Sequence, residues 1–323
     1  MIMTENIKLF EDYLKKELKY NKPESLYDPV KYILESGGKR LRPLITLYIS
    51  ELFNGKKIVA LPAAAALEIF HNFTLAHDDI MDNSSIRRGK KTINAKWDDN
   101  TGILSGDVML IISYEILNQY EDSKYILFSK KLTEISRLVC EGQQADMDFA
   151  SKNDITENEY FEMIKNKTAV LIGCSFMFGG IAAETNTSNT DLLYRIGLNL
   201  GIAFQLEDDL LDCFGDQEKF GKKIGGDILE KKKTLLYLFT YSKLESEKKL
   251  EFENIFNSNE IEESEKINSI KSFYETSGAL EYLKNKVKVY FNEAEMLIDK
   301  LEFDHDTKKK LNLLNHFMKL QVL

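Results

Sequence analysis

The sequence predicts an all-α protein, a single large helical bundle spanning residues 1–323. Three observations carry that expectation. All four prolines (Pro23, Pro29, Pro43, Pro62) lie in the first fifth of the chain, leaving 261 residues (323 − 62) without one. Proline breaks helix interiors because it lacks the N–H and its ring clashes with the preceding turn. Through that long run apolar residues recur at three-to-four spacing, and the alternation of half-buried strands is missing. No Pro-rich, Ser/Gly-rich or low-complexity stretch suggests a linker. The chain therefore reads as one domain, long enough to bury its own core.

In order, an amphipathic helix near Ile7 to Leu18 opens the chain, and a loop with two prolines follows. A second helical pattern near Val30 to Leu34 stops at Gly37-Gly38, before Lys39-Arg40-Leu41-Arg42-Pro43 and an apolar helix from Leu44 to Leu52. Pro43 suits a first-turn position, where its missing N–H costs nothing. The basic residues thus sit at a loop-to-helix junction, where backbone N–H groups also face outward. Pro62 is expected to start the next helix, about residues 62–83, in which Ala63 to Ala66 favour helix and permit close packing. A loop holds Arg87-Arg88-Gly89. Helical regions follow at about 101–150, 157–184 (with Lys167-Thr168) and 189–214. A loop then carries Gly221-Lys222, Gly225-Gly226-Asp227 and Lys231-Lys232-Lys233-Thr234. From about 235 onward the helical periods suggest packing and solvation only.

Two acidic clusters in these helices carry the chemistry: Asp78-Asp79-Ile80-Met81-Asp82 and Asp208-Asp209-Leu210-Leu211-Asp212. Residues four apart share a helix face, so Asp78 pairs with Asp82 and Asp208 with Asp212. Bare carboxylates this close repel and raise each other's pKa unless a cation intervenes. Hard divalent ions, Mg²⁺ above all, relieve the repulsion and still accept phosphate oxygens. The expected architecture is a bundle with a central cavity between the two aspartate-bearing helices, holding a metal-bridged phosphate compound. One such cluster reads as a solvated helix face; two, each followed by basic residues, point to a site. Asp79 and Asp209 lie about 100° round their helices and should orient ligands and waters. Asp107 and Asp146 suit that role or capping equally.

The formal net charge of −9 argues against a nucleic-acid partner. Cys140, Cys174 and Cys213 lack metal-ligand spacing and read as reduced core residues, which suits a cytoplasmic location. Residues 1–9 have neither a basic nor an apolar leader region. No apolar stretch is expected to span a membrane.

The motifs GGKRLRP (Gly37 to Pro43), DDIMD followed by Arg87-Arg88-Gly89, Lys167-Thr168, Phe204-Gln205 before the second cluster, and Gly221-Lys222 through Lys232 occur in one order. In this the chain resembles the trans-type isoprenyl diphosphate synthases, the polyprenyl synthetase family, over about residues 35–235. The resemblance implies the isoprenoid synthase type of helical fold. It also implies a head-to-tail prenyltransferase that condenses isopentenyl diphosphate with an allylic diphosphate. Three Mg²⁺ ions are implied, with Mn²⁺ able to substitute, and a homodimer for which apolar faces in residues 101–150 would serve. Lys39, Arg42, His71 and Arg88 match positions for the diphosphate of isopentenyl diphosphate, although His71, beside Phe70 and Phe73, also reads as a hydrogen-bonded core residue. Arg87, Lys167, Thr168, Gln205, Lys222 and Lys232 match positions for the allylic diphosphate. Among these, Lys167 and Lys222, with Arg87, are the catalytic candidates, able to take up charge as the diphosphate departs. Asp78, Asp82 and Asp208 match direct Mg²⁺ ligands, and Asp212 one acting through water.

Two departures stand out. The family commonly has Gly where this chain has Lys231, which leaves the register of the lysine run open. Lys90-Lys91-Thr92-Ile93-Asn94 replaces the Pro-Thr and His that often follow Arg-Gly, altering a loop near the substrate mouth. A class I terpene cyclase or head-to-head synthase would lack the GGKRLRP arm, and a regulatory subunit would have lost an aspartate cluster. Product length is readable from the helix before Asp78. Thr74 is small, Phe73 large, and Phe70 lies a turn further down. That pattern resembles twenty-carbon geranylgeranyl synthases, with fifteen-carbon farnesyl synthesis as the alternative.

Overall fold

The computed structural model describes residues 2–20, 22–152, 154–215 and 224–303, with Lys308 and Leu311. The helices are α1 (Ile2–Glu17), α2 (Glu24–Leu34), α3 (Leu41–Leu52), α4 (Lys57–Met81), α5 (Ile93–Lys96), α6 (Asp99–Glu115), α7 (Asp122–Ser151), α8 (Glu157–Ile164), α9 (Val170–Ala182), α10 (Thr187–Phe214), α11 (Gly226–Leu229), α12 (Leu235–Lys243), α13 (Ser246–Asn257), α14 (Glu263–Thr276) and α15 (Ala279–Asp299). The all-α expectation holds. The one exception among the described residues is a hairpin of two-residue strands, β1 (Ile86–Arg87) and β2 (Lys90–Lys91), in antiparallel register Ile86↔Lys91 and Arg87↔Lys90. Its turn residues, Arg88 and Gly89, both have positive φ, 53° and 71°. Such two-residue turns match the right-handed twist of the strands they join.

The chain forms two compact units, one of residues 1–134 and 174–194, the other of residues 135–173 and 195–323. In the first, α4 is the central helix, packed by α1, α2, α3 and α6. Ala63, Ala64, Ala65 and Ala66 are fully buried, which lets neighbouring helices approach its backbone closely. The helix starts at Lys57, five residues earlier than the proline predicted, with Pro62 inside it. Proline opens the hydrogen-bond ladder there. The Tyr120 hydroxyl enters the gap, donating to the Val59 carbonyl at 2.5 Å and accepting from the Ala63 N–H at 3.2 Å. Helix α4 is also long and apolar enough to cross a membrane, against the expectation that no stretch would be. Most of it is buried inside the protein, and midway Glu68 accepts from the Arg40 guanidinium at 2.7 Å, so it is a core helix. The helical region expected at 101–150 is interrupted by a 3₁₀ turn at Ile116–Gln119.

In the second unit α12, α14 and α15 pack together, with α13 on α14. Tyr237, Phe252, Phe256 and Tyr274 form their aromatic core, the Tyr237 and Phe256 rings 4.6 Å apart. Helix α8 begins with a capping box, Thr156 to Glu159. It runs through one π-helical turn, Lys165–Ala169, into α9. Cys174 and Cys213 are buried as expected, but Cys140 is exposed. It shares the outer face of α7 with Arg137 and Gln144, three and four residues away.

Candidate active site

In the first unit, Asp78 and Asp82 close α4. Asp82 is its C-cap, and its N–H donates to the Asp78 carbonyl at 2.8 Å. A helix C-terminus already carries partial negative charge, so carboxylates there are unfavourable without a cation. Asp79 points elsewhere. It is 2% exposed and accepts from Arg87 Nε at 2.7 Å, aiming that guanidinium as an orienting group should. Burial raises the Asp79 carboxyl above its ordinary pKa, and Arg87 opposes the rise.

The hairpin turn brings Arg88 back onto the glycine loop. Its guanidinium donates to the Gly37 carbonyl and lies so close over Gly38 that an added Cβ would sit 2.7 Å from its central carbon. Arg40, the N-cap of α3 at φ 48°, is buried and donates to Glu11 and Glu68, both at 2.7 Å, and to the Leu34 carbonyl. It pins the loop between exposed Lys39 and half-buried Arg42. Burial, eased by Glu68 and reinforced by Arg88, pushes Arg42 down to about 10. Its buried Nε has no partner. Burial, then Arg42, Arg88, Arg87 and Arg40, hold His71 well below its usual pKa, in the neutral form. Arg42 and Arg88, with neutral His71 beside them, are thus brought together as a cationic cluster with an orphaned donor, which suits a diphosphate. A small cleft beside it is lined by Tyr32, Ser36, Asp79, Arg87, Arg88 and Thr92.

Before Asp78, Phe70, Phe73 and His77 line one face of α4. The Phe73 ring lies 5.4 Å from Phe70 and 4.9 Å from His77, both edge-on. His77 Nε2 is 3.0 Å from the Ile103 carbonyl. Phe70 is fully buried and Phe73 8% exposed, while the half-buried Thr74 hydroxyl donates to the His71 carbonyl.

In the second unit, the π turn carries both Lys167 and Thr168. Such single wide turns often occur at functional sites. Lys167 Nζ meets Asp146 at 2.5 Å. Gly142 makes the turn's close approach possible, since a Cβ there would sit 2.2 Å from the Lys167 nitrogen. Thr168 donates to Gln205 Oε1 at 2.9 Å, and Gln205 Nε2 donates to Asp209 Oδ1 at 3.0 Å. Asp208 and Asp212 lie in the last turns of α10, again at a negative helix end. Asp212 accepts from the Asp227 N–H at 2.9 Å. Lys232 bridges Glu230 at 2.7 Å and Asp227 at 3.7 Å. Lys222 lies outside the described residues.

Sequence reading missed three residues here. Asp227 lies in the Gly225-Gly226-Asp227 segment but had no assigned role. Burial, then Asp209 and Asp212, push its carboxyl well above the usual range. Burial pushes Asp209 up to about 7, against its bonds from Tyr160 and Gln205. Tyr160, buried on α8, donates to Asp209, and nothing local in the sequence marked it. His77 had one signal, its place directly before Asp78.

Among the described residues no three Asp, Glu, His or Cys side chains form a cage for an ion. Mg²⁺ commonly takes one or two carboxylates and completes its shell with water and phosphate oxygens. The oxygen-only donors and crowded carboxylates, half-buried at Asp78, Asp208 and Asp212 and exposed at Asp82, therefore fit Mg²⁺ bound together with a diphosphate.

The sequence model of the polyprenyl synthetase family matches residues 23–275. A geranylgeranyl diphosphate synthase of Saccharolobus solfataricus is 45% identical over 225 residues, 68% of this chain and 68% of that protein. A geranylgeranyl pyrophosphate synthase of Geoglobus acetivorans is 36% identical over 303 residues, 93% of this chain and 92% of that one. Among solved structures, a geranylgeranyl pyrophosphate synthase superposes with a TM-score of 0.94 at 42% identity, over 98% of both chains.

Proposed function

The chain belongs to the polyprenyl synthetase family, and from that premise we propose that it condenses isopentenyl diphosphate head to tail with an allylic diphosphate to make geranylgeranyl diphosphate. The observation that carries this reading is the pair of helix-end carboxylate clusters, each accompanied by its own basic groups. Names of geranylgeranyl synthases on relatives 36–45% identical support the twenty-carbon product. So does small Thr74 preceding Asp78 by four residues, with Phe73 next to it.

In the reaction the allylic C–O bond breaks and negative charge gathers on the departing diphosphate. Arg87, Lys167, Thr168, Gln205, Lys222 and Lys232 bind that group. Lys167, aimed by Asp146, meets the developing charge with little reorganisation. Arg42, His71, Arg88 and Lys39 hold isopentenyl diphosphate so that its double bond attacks the allylic carbon. A C–C bond forms and a proton leaves the adjacent carbon, with the departing diphosphate as base. Asp78 and Asp82, and Asp208 with Asp212 acting through water, would hold Mg²⁺, which would supply charge neutralisation at the diphosphate.

A homodimer belongs to this reading. In the first unit Ile103, Leu104 and Ile111 of α6 are 43%, 58% and 63% exposed and Ile126 of α7 is 60% exposed, an apolar face that a second copy would cover. A cytoplasmic location suits three cysteines outside any disulfide. The test is turnover by the purified chain alone, with Mg²⁺ and then chelator, and chromatography of the dephosphorylated products. Mainly twenty-carbon alcohol in Mg²⁺, and none in chelator, is expected. No condensation by the pure chain would refute the proposal.

A further inference from the structure

Asp209 sits between two metal-ligand candidates in sequence, yet both of its oxygens are taken by protein. Oδ2 accepts from the Tyr160 hydroxyl and Oδ1 from Gln205 Nε2. Tyr160 is 1% exposed. Its hydroxyl proton is directed at Asp209.

The polarity of the remaining bonds follows. Gln205 turns its NH₂ toward Asp209, which accepts at 3.0 Å. Its carbonyl then faces Thr168, whose hydroxyl, 2.9 Å away, must donate. Donors therefore run Thr168 to Gln205 to Asp209, and Tyr160 to the same carboxylate from the other side. Thr168 stands in the π turn, where Gly142 leaves the backbone no room to drift.

We infer that Tyr160 is a positioning residue for the proposed prenyl transfer: by anchoring Asp209 it fixes the Gln205 amide, and through Gln205 the hydroxyl of Thr168. The inference rests on the prenyltransferase reading. It adds a residue, on a different helix from the aspartate cluster, that touches neither substrate nor metal. Removing its hydroxyl frees the carboxylate to rotate, and the amide of Gln205 loses the partner that sets its direction.

The test is a double-mutant cycle of Tyr160→Phe and Thr168→Val, each of which removes one hydroxyl at nearly constant volume. Hydrogen bonds to charged groups set the scale, so Tyr160→Phe should lower kcat roughly ten- to a hundredfold. KM for isopentenyl diphosphate should stay within about twofold, since other side chains bind that substrate. A relay predicts strong coupling, with the double variant within about threefold of the worse single one. Independent packing roles predict that the losses multiply. The same four proteins are melted without substrate, where coupled Tm shifts are expected. Additive losses in either kcat or Tm overturn the relay. Wild-type protein without condensation activity would instead refute the functional reading, while the melting cycle still judges the relay. If Tyr160→Phe does not fold, Asp209→Asn, which still accepts from Gln205, enters the cycle under the same criterion.

Discussion

Phe73→Ala should lengthen the product by one isoprene unit. A helix rises 1.5 Å per residue, so Phe73, five residues before Asp78, lies about 7.5 Å along α4 from the carboxylates and Phe70 about 12 Å. Removing the first ring moves the stop to the second, a gain of about 4.5 Å, close to the 5.4 Å helical turn that roughly matches one isoprene unit. The wild-type twenty-carbon product should shift toward twenty-five carbons. Thr74→Phe places a ring one residue nearer the carboxylates and should shift it toward fifteen. The perturbation has a structural cost. Phe73 is 8% exposed and packs edge-on against Phe70 and His77. Truncating such a core ring costs about 3–5 kcal/mol, so Phe73→Leu serves as a milder companion, and circular dichroism checks that each variant is folded. Products are dephosphorylated and separated by chain length. A folded Phe73→Ala with the wild-type distribution would show that the ring only packs between helices. A wild-type product of thirty carbons or more would sink the ruler argument altogether.

Asp78→Ala and Asp208→Ala should each cut turnover by orders of magnitude while preserving helix content, and full activity in chelator would contradict the metal reading. Changing Arg42 or His71 should mainly raise KM for isopentenyl diphosphate, whereas Lys167→Ala should depress kcat; equal damage to the same substrate would refute two separate diphosphate sites. Gly142→Ala brings a methyl within 2.2 Å of the Lys167 nitrogen and must displace the π turn, so kcat should fall; unchanged kinetics would show that the turn's geometry is unimportant. Burial and four arginines hold the folded-state pKa of His71 below its unfolded value, so the unfolded chain binds more protons below about pH 6.5. Stability from this residue is complete above that pH and lost as pH falls beneath it. His71→Gln should flatten the drop in Tm between pH 6.5 and 5, and an unchanged slope would count against a buried neutral histidine.

The parts of the molecule visible in sequence are those whose cause is local. Apolar periodicity placed the long helices and, with their expected ends near residues 83 and 214, the position of each aspartate pair near a helix end. The failures have distant causes. Pro62 reads as a helix start because proline favours first turns, yet the helix extends through it because Tyr120, 58 residues on, fills the broken ladder. Strands of two residues are too short to alternate, so the hairpin that aims Arg87 and Arg88 left only its Arg88-Gly89 turn as a clue. Tyr160 and Asp209 are 49 residues apart, and a tyrosine in an apolar segment looks like any core residue.

Lys231 shows how the structure resolves what motif matching left open. Its φ of 58° lies in the left-handed region, which explains why glycine suits this position and sets the register of the lysine run. A side chain there costs about 1–2 kcal/mol. Here the side chain offsets part of that cost, because Nζ donates at 2.8 Å to the carbonyl of Asn257, the last residue of α13. A helix C-terminus attracts a cation in just this position. With Lys231 turned outward to that carbonyl, the next residue, Lys232, is the one left facing Asp227. The lysine at the carboxylate cluster is therefore Lys232, and the substitution of its neighbour ties the loop that carries it to α13.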